Sequence, residues 1–117
     1  MSDNSTRKIT FKALYEWLQS DINPPCLIDV RENEEIAIAS LPYPFIHLPL
    51  SKINSLDDNI ISSISEFDSL VIICHAGIRS MNFAFWLLDK KIKCNVWNLA
   101  GGIDAWSLQI DSSIQRY

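Results

Sequence analysis

Apolar residues in this chain follow two alternating rhythms. Short unbroken runs alternate with stretches where apolar positions recur every three or four residues. Phe11, Leu14, Tyr15 and Leu18 share one helical face, with Thr10 placed to cap it. Asn23-Pro24-Pro25 then breaks the chain, and Cys26–Val30 is an apolar run ending in charge. Such a run reads as a strand buried on both faces of a parallel sheet. Arg31 to Ala39 is expected to be helical, its acidic residues near the positive helix start. Phe45–Leu48, hemmed by Pro42, Pro44 and Pro49, reads as a short strand. Leu56, Ile60, Ile61 and Ile64 again have helical spacing, and Leu70–Cys74 is the clearest buried strand. After a loop from His75 to Arg79, Ser80 can cap a helix lined by Met81, Ala84, Phe85 and Leu88. Cys94–Leu99 is a further strand, Gly101-Gly102 a sharp turn, and Ile103–Leu108 a short helix. Strands alternating with helices predict an α/β domain with a parallel sheet covered on both faces. In such sheets a site forms beyond the carboxyl ends of the strands, where Cys74 stands.

The 117 residues suit one domain. Met1–Lys8 is expected to be a flexible start, and residues 9–117 a single domain. Fourteen acidic residues against ten basic ones leave no basic stripe, so no nucleic-acid partner is expected. Nor does any apolar run reach the length that spans a bilayer, and no membrane partner is expected. The polar start lacks an apolar signal core, which predicts a cytoplasmic protein. Cys26, Cys74 and Cys94 are odd in number, widely spaced and without a CxxC pair. That pattern argues against disulfides and zinc and for reduced thiols. No metal or cofactor is expected.

The chemistry concentrates in Cys74-His75-Ala76-Gly77-Ile78-Arg79-Ser80. A cysteine leaves a buried strand, enters a tight loop and is followed at once by a helix. Gly77 permits backbone conformations that other residues resist. The first amides of the helix lack internal partners and can converge on the sulfur. Arg79 adds a planar cation, and these surroundings favour an exposed thiolate. Cys26 and Cys94 each open a strand and read as inert. Asp29 and Arg31 read as a bracing ion pair near the site. His75 is either a proton shuttle or a solvated side chain. His47 reads as packed or exposed rather than functional, and Trp97 and Trp106 read as core residues. The residues alone leave sulfur transfer, phosphate-ester hydrolysis and a non-catalytic binding module open.

Three segments carry a resemblance. Leu27-Ile-Asp-Val-Arg-Glu32, Cys74 through Ser80 and Asn98-Leu-Ala-Gly-Gly-Ile-Asp-Ala-Trp106 resemble the rhodanese superfamily in order and spacing. The resemblance implies a central parallel five-stranded sheet with helices on both faces. In that family four residues separate cysteine and arginine in sulfurtransferases, and five in the related phosphatases and arsenate reductases. Here His75, Ala76, Gly77 and Ile78 make four. The resemblance therefore implies that Cys74 takes sulfur as a persulfide. The donor would be a small sulfur-containing anion such as thiosulfate, or a persulfide donor protein. A thiol or cyanide would be the acceptor, with Arg79 orienting the loop and holding positive potential over the site. A regulatory module of the same fold is the alternative, and a phosphatase or arsenate reductase a further one. Two departures stand out. Ala39-Ser-Leu-Pro-Tyr-Pro-Phe45 lacks the histidine and glycine of the family's Gly-His-Ile-Pro-Gly-Ala. His75 and Ala76 stand where many members carry a basic residue, which weakens the case for thiosulfate.

Overall fold

The computed structural model describes residues 7–20, 22–56 and 58–117. Five strands form one parallel sheet: β1 (Arg7–Ile9), β2 (Cys26–Asp29), β3 (Ile46–His47), β4 (Ser69–Ile73) and β5 (Asn95–Leu99). Their spatial order is β1-β5-β4-β2-β3, with every neighbouring pair parallel. Helices α1 (Phe11–Ser20), α2 (Asn33–Ile38), α3 (Asp58–Ile64), α4 (Ile78–Asp89) and α5 (Gly102–Gln109) make the crossovers. A 3₁₀ segment over Leu50–Ser55, unforeseen from the apolar spacing, lies between β3 and α3. The expected α/β fold with its five-stranded parallel sheet is present.

Alternation along the strands divides the interior in two. Leu70 and Ile72 of β4, Ile28 of β2 and Val96 of β5 pack with Ile64 of α3 and Phe83, Ala84 and Leu87 of α4. Val71 and Ile73, Leu27 and Leu99 face the other way, against Leu14 of α1 and Ile103 and Trp106 of α5. This two-sided burial is why the strands carry unbroken apolar runs rather than alternating ones. It also fixes the direction of Cys74, which follows β4 and joins the α3/α4 side.

Several expectations need correcting. Of the flexible start expected over Met1–Lys8, residues 1–6 lie outside the described residues. Arg7 and Lys8 belong to the edge strand β1, paired with Trp97 and Asn98. Helix α2 is shorter than Arg31–Ala39, because Glu32 caps it in a reciprocal capping box with Glu35. Thr10 caps as expected, its Oγ1 accepting the Ala13 amide at 3.1 Å. Ser80 does not cap α4. The helix begins two residues earlier with Gly77 as its N-cap residue, at φ +101°. Trp106 is core, whereas Trp97 is only half-buried, edge-on to Trp17 and beneath the Arg7 guanidinium.

Candidate active site

The carboxyl ends of β2 and β4 lie side by side, with Asp29 in register with Ile73. Residue 74 leaves the central strand there. The two peptide units that follow are fixed by the start of α5. Ile103 N–H donates to the Cys74 carbonyl at 2.9 Å and Asp104 N–H to the His75 carbonyl at 3.0 Å. Gly102 makes this approach possible, since a Cβ there would lie 2.5 Å from each of those carbonyl oxygens. With both carbonyls held by α5, the loop turns back over the sulfur.

The Gly77 amide donates to Cys74 Sγ at 3.0 Å, and Ser80 Oγ lies 3.2 Å from the same sulfur. Helix α4 starts without a side-chain cap, so the sulfur sits where its first amides have no side-chain acceptor. Asn98 locks this arrangement from below. It shares a face of β5 with Val96, beneath the first turn of α4. Its Nδ2 donates to the Gly77 carbonyl at 3.0 Å, and its Oδ1 accepts the Ser80 hydroxyl. Cys74 itself is only 1% exposed, which corrects the expectation of an exposed sulfur. One loop amide and one hydroxyl, rather than several amides, contact it. Ala76 and Ile78 form the exposed rim, Ile78 being 73% exposed.

Burial acts on the other two thiols. It pushes the Cys26 thiol up to about 11, with nearby Cys94 adding to the effect, and it raises the Cys94 thiol as well. Neither stands at the carboxyl end of a strand.

The supporting charges form one connected set. Arg31 is fully buried, and its Nε and Nη2 grip both oxygens of Asp29 at 2.8 to 3.1 Å. Its Nη2 also donates to the Ala39 carbonyl and its Nη1 to the Tyr117 hydroxyl, both at 2.8 Å. Asp29 and Arg31, the two charges at the end of β2, are thus an ion pair. His47 Nε2 contacts the Arg31 carbonyl at 2.5 Å, a packing role. Arg79 carries a contact that the sequence did not predict. It does not stand as an uncompensated cation over the sulfur, because Glu35 takes both ends of its guanidinium at 2.5 and 2.7 Å. That contact holds the Glu35 carboxyl down at about 2 and raises Arg79 further above its ordinary value. The Tyr117 hydroxyl donates to the same carboxylate at 3.0 Å, and its ring lies 4.3 Å from the half-buried His75 ring. His75 Nδ1 is buried without a hydrogen-bond partner.

Sequence reasoning missed Glu35, Asn98 and Tyr117 as parts of this site. Asn98 had a signal: a lone amide inside an otherwise apolar buried strand must find partners. Glu35 is legible only as the third residue of a capping box, and nothing in the sequence brings Tyr117 to Arg31.

These features define an α/β domain with a single-cysteine loop at the carboxyl end of its central strand. The model of the rhodanese-like domain family matches residues 11–109. The chain belongs to that family. It is 43% identical over 91 residues to the rhodanese-like/PpiC domain-containing protein 12, chloroplastic, of Arabidopsis thaliana, covering 78% of this chain and 30% of that protein. It is 32% identical over 107 residues to the adenylyltransferase and sulfurtransferase MOCS3-2 of Zea mays, covering 88% of this chain and 22% of that protein. The chain thus spans less than a third of the length of these two plant proteins. Among solved structures, the rhodanese-like domain protein of Staphylococcus aureus superposes with a TM-score of 0.68 at 25% identity, covering 96% of this chain and 99% of that one. Yeast Ygr203w, described as a homologue of single-domain rhodanese and the Cdc25 phosphatase catalytic domain, shares the fold with a TM-score of 0.73 at 17% identity. It covers 97% of this chain and 91% of that one. Among the described residues, no helix is long and apolar enough to cross a membrane.

Proposed function

We propose that this domain is a sulfurtransferase that carries sulfane sulfur as a persulfide on Cys74. The observation that supports this most is the Gly77 amide on Cys74 Sγ, at the uncapped start of α4. An N–H donor and a helix start aimed at sulfur stabilise negative charge there, whether on a thiolate or on the terminal sulfur of a persulfide. The four-residue spacing to Arg79 agrees with the sulfurtransferase pattern of the family. Cys74 as thiolate attacks the outer sulfur of a donor such as thiosulfate or a persulfide. The donor's sulfur–sulfur bond breaks, and its electron pair leaves with sulfite or with a thiolate. A thiol or cyanide then attacks the outer sulfur on Cys74 and returns the thiolate, which closes a double displacement. Three free thiols suit a reducing compartment such as the cytosol.

Intact-mass measurement under non-reducing conditions tests the reading. Incubation with thiosulfate or with a persulfidated donor protein adds one sulfur atom to the wild-type chain and none to Cys74→Ser. If neither donor gives that increment, the proposal fails.

A further inference from the structure

Arg79 is the only cation in the loop from Cys74 to Ser80. An incoming anion would find it occupied. Both guanidinium ends are on Glu35, whose carboxylate also receives the Tyr117 hydroxyl and the Glu32 amide. The Glu35 side chain is 18% exposed and its partner 35%, so the pair is partly shielded from solvent. The other arginines at this end of the sheet are also engaged: Arg31 by Asp29, and Arg116 by Asp104 at 2.9 Å. With a formal net charge of −4, the whole-molecule field does not favour an anion either. The exposed rim beside the loop is instead apolar, formed by Ala76 and Ile78.

We propose that Glu35 is a specificity-determining residue: by holding the Arg79 guanidinium at both ends it directs Cys74 to a thiol persulfide as sulfur donor, rather than to thiosulfate. The inference rests on the sulfur-transfer reading above and adds to it the class of donor. Thiosulfate brings two negative charges and releases sulfite, also doubly charged. A persulfide group brings one charge at most on its reacting sulfurs. In its exchange, Cys74 Sγ bonds the outer sulfur, the donor's sulfur–sulfur bond breaks, and the donor leaves as a thiolate. Charge and electrons balance without any oxidant or reductant. The carbon-bearing half of such a donor also suits an apolar rim better than a sulfonate would.

The test compares rates of sulfur loading on Cys74 from thiosulfate, glutathione persulfide and persulfidated serum albumin. Each rate is divided by that of the same donor with free N-acetylcysteine, which removes intrinsic donor reactivity. In the wild type the normalised rate with either persulfide exceeds that with thiosulfate by about tenfold or more, as expected when the doubly charged reacting group meets a loop arginine already paired with a carboxylate. Faster loading from albumin than from glutathione identifies a protein donor, and the reverse a small thiol. Glu35→Gln keeps the capping acceptor of α2 but releases the guanidinium. It speeds loading from thiosulfate about fivefold through a lower KM, raises the ratio of the thiosulfate rate to the persulfide rate, and loses the gain in the double variant E35Q/R79Q. Thiosulfate matching or outrunning the persulfides in the wild type overturns the inference, even if Glu35→Gln proves unstable. So does a Glu35→Gln variant that slows all donors alike, the mark of a structural role. Absence of any sulfur on Cys74 from all three donors defeats the parent reading instead.

Discussion

At the scale of single residues, the site depends on a backbone approach rather than on reactive side chains alone. Gly102 lets the first amides of α5 reach the carbonyls of Cys74 and His75, and its own φ is +60°. A methyl group there would meet two carbonyl oxygens that cannot retreat without moving the loop. Gly102→Ala should therefore destabilise the domain by about 2–4 kcal/mol, from left-handed strain plus overpacking. Urea denaturation measures that loss, and persulfide loading of the surviving folded protein should fall with it. Gly101-Gly102 was legible in the sequence as a turn, but the reason for the second glycine was not. That reason lies in residues 27 and 28 positions earlier in the chain, which only the folded sheet brings near. Ser80 is the matching case: its place after the loop suggested a cap, whereas the left-handed Gly77 starts the helix and turns the hydroxyl onto the sulfur and Asn98.

At the scale of elements, α2 and the start of α4 are tied by Glu35 and Arg79, and β2 to the C-terminal residues by Arg31 and Tyr117. The two ties predict different losses. Arg31→Ala leaves the Asp29 carboxylate buried without its partner, and should cost about 3–5 kcal/mol in chemical denaturation. The Glu35 tie is pH-dependent. Its folded carboxyl is held near 2 against an ordinary 4.5, so its contribution is complete above the ordinary value. The contribution is then lost as pH falls through that interval. Urea midpoints should thus drop more steeply for the wild type than for Glu35→Gln on acidification from about pH 5 to pH 3. Equal slopes would show that the pair adds nothing to stability. The element pattern itself was largely legible, because strands buried on both faces leave unbroken apolar runs such as Leu70–Cys74. Edge strand β1 was not. Three residues with polar Arg7 and Lys8 carry no such run, and their pairing partner lies some ninety positions away.

At the scale of the whole molecule, the sheet separates three thiols into two environments. Cys26 and Cys94 lie toward the amino ends of their strands, their thiols pushed up by burial, while Cys74 lies at the carboxyl end against a helix start. Parallel topology alone produces this separation, since every strand points the same way. It follows that sulfur loaded onto the domain should collect at one position. The most direct measurement is peptide mapping after donor treatment and thiol blocking, reading the persulfide adduct on each cysteine-containing peptide. The adduct should lie on the Cys74 peptide, with Cys26 and Cys94 recovered as plain thiols. Sulfur spread over all three cysteines, or found on Cys26 or Cys94 while Cys74 stays unmodified, would contradict it.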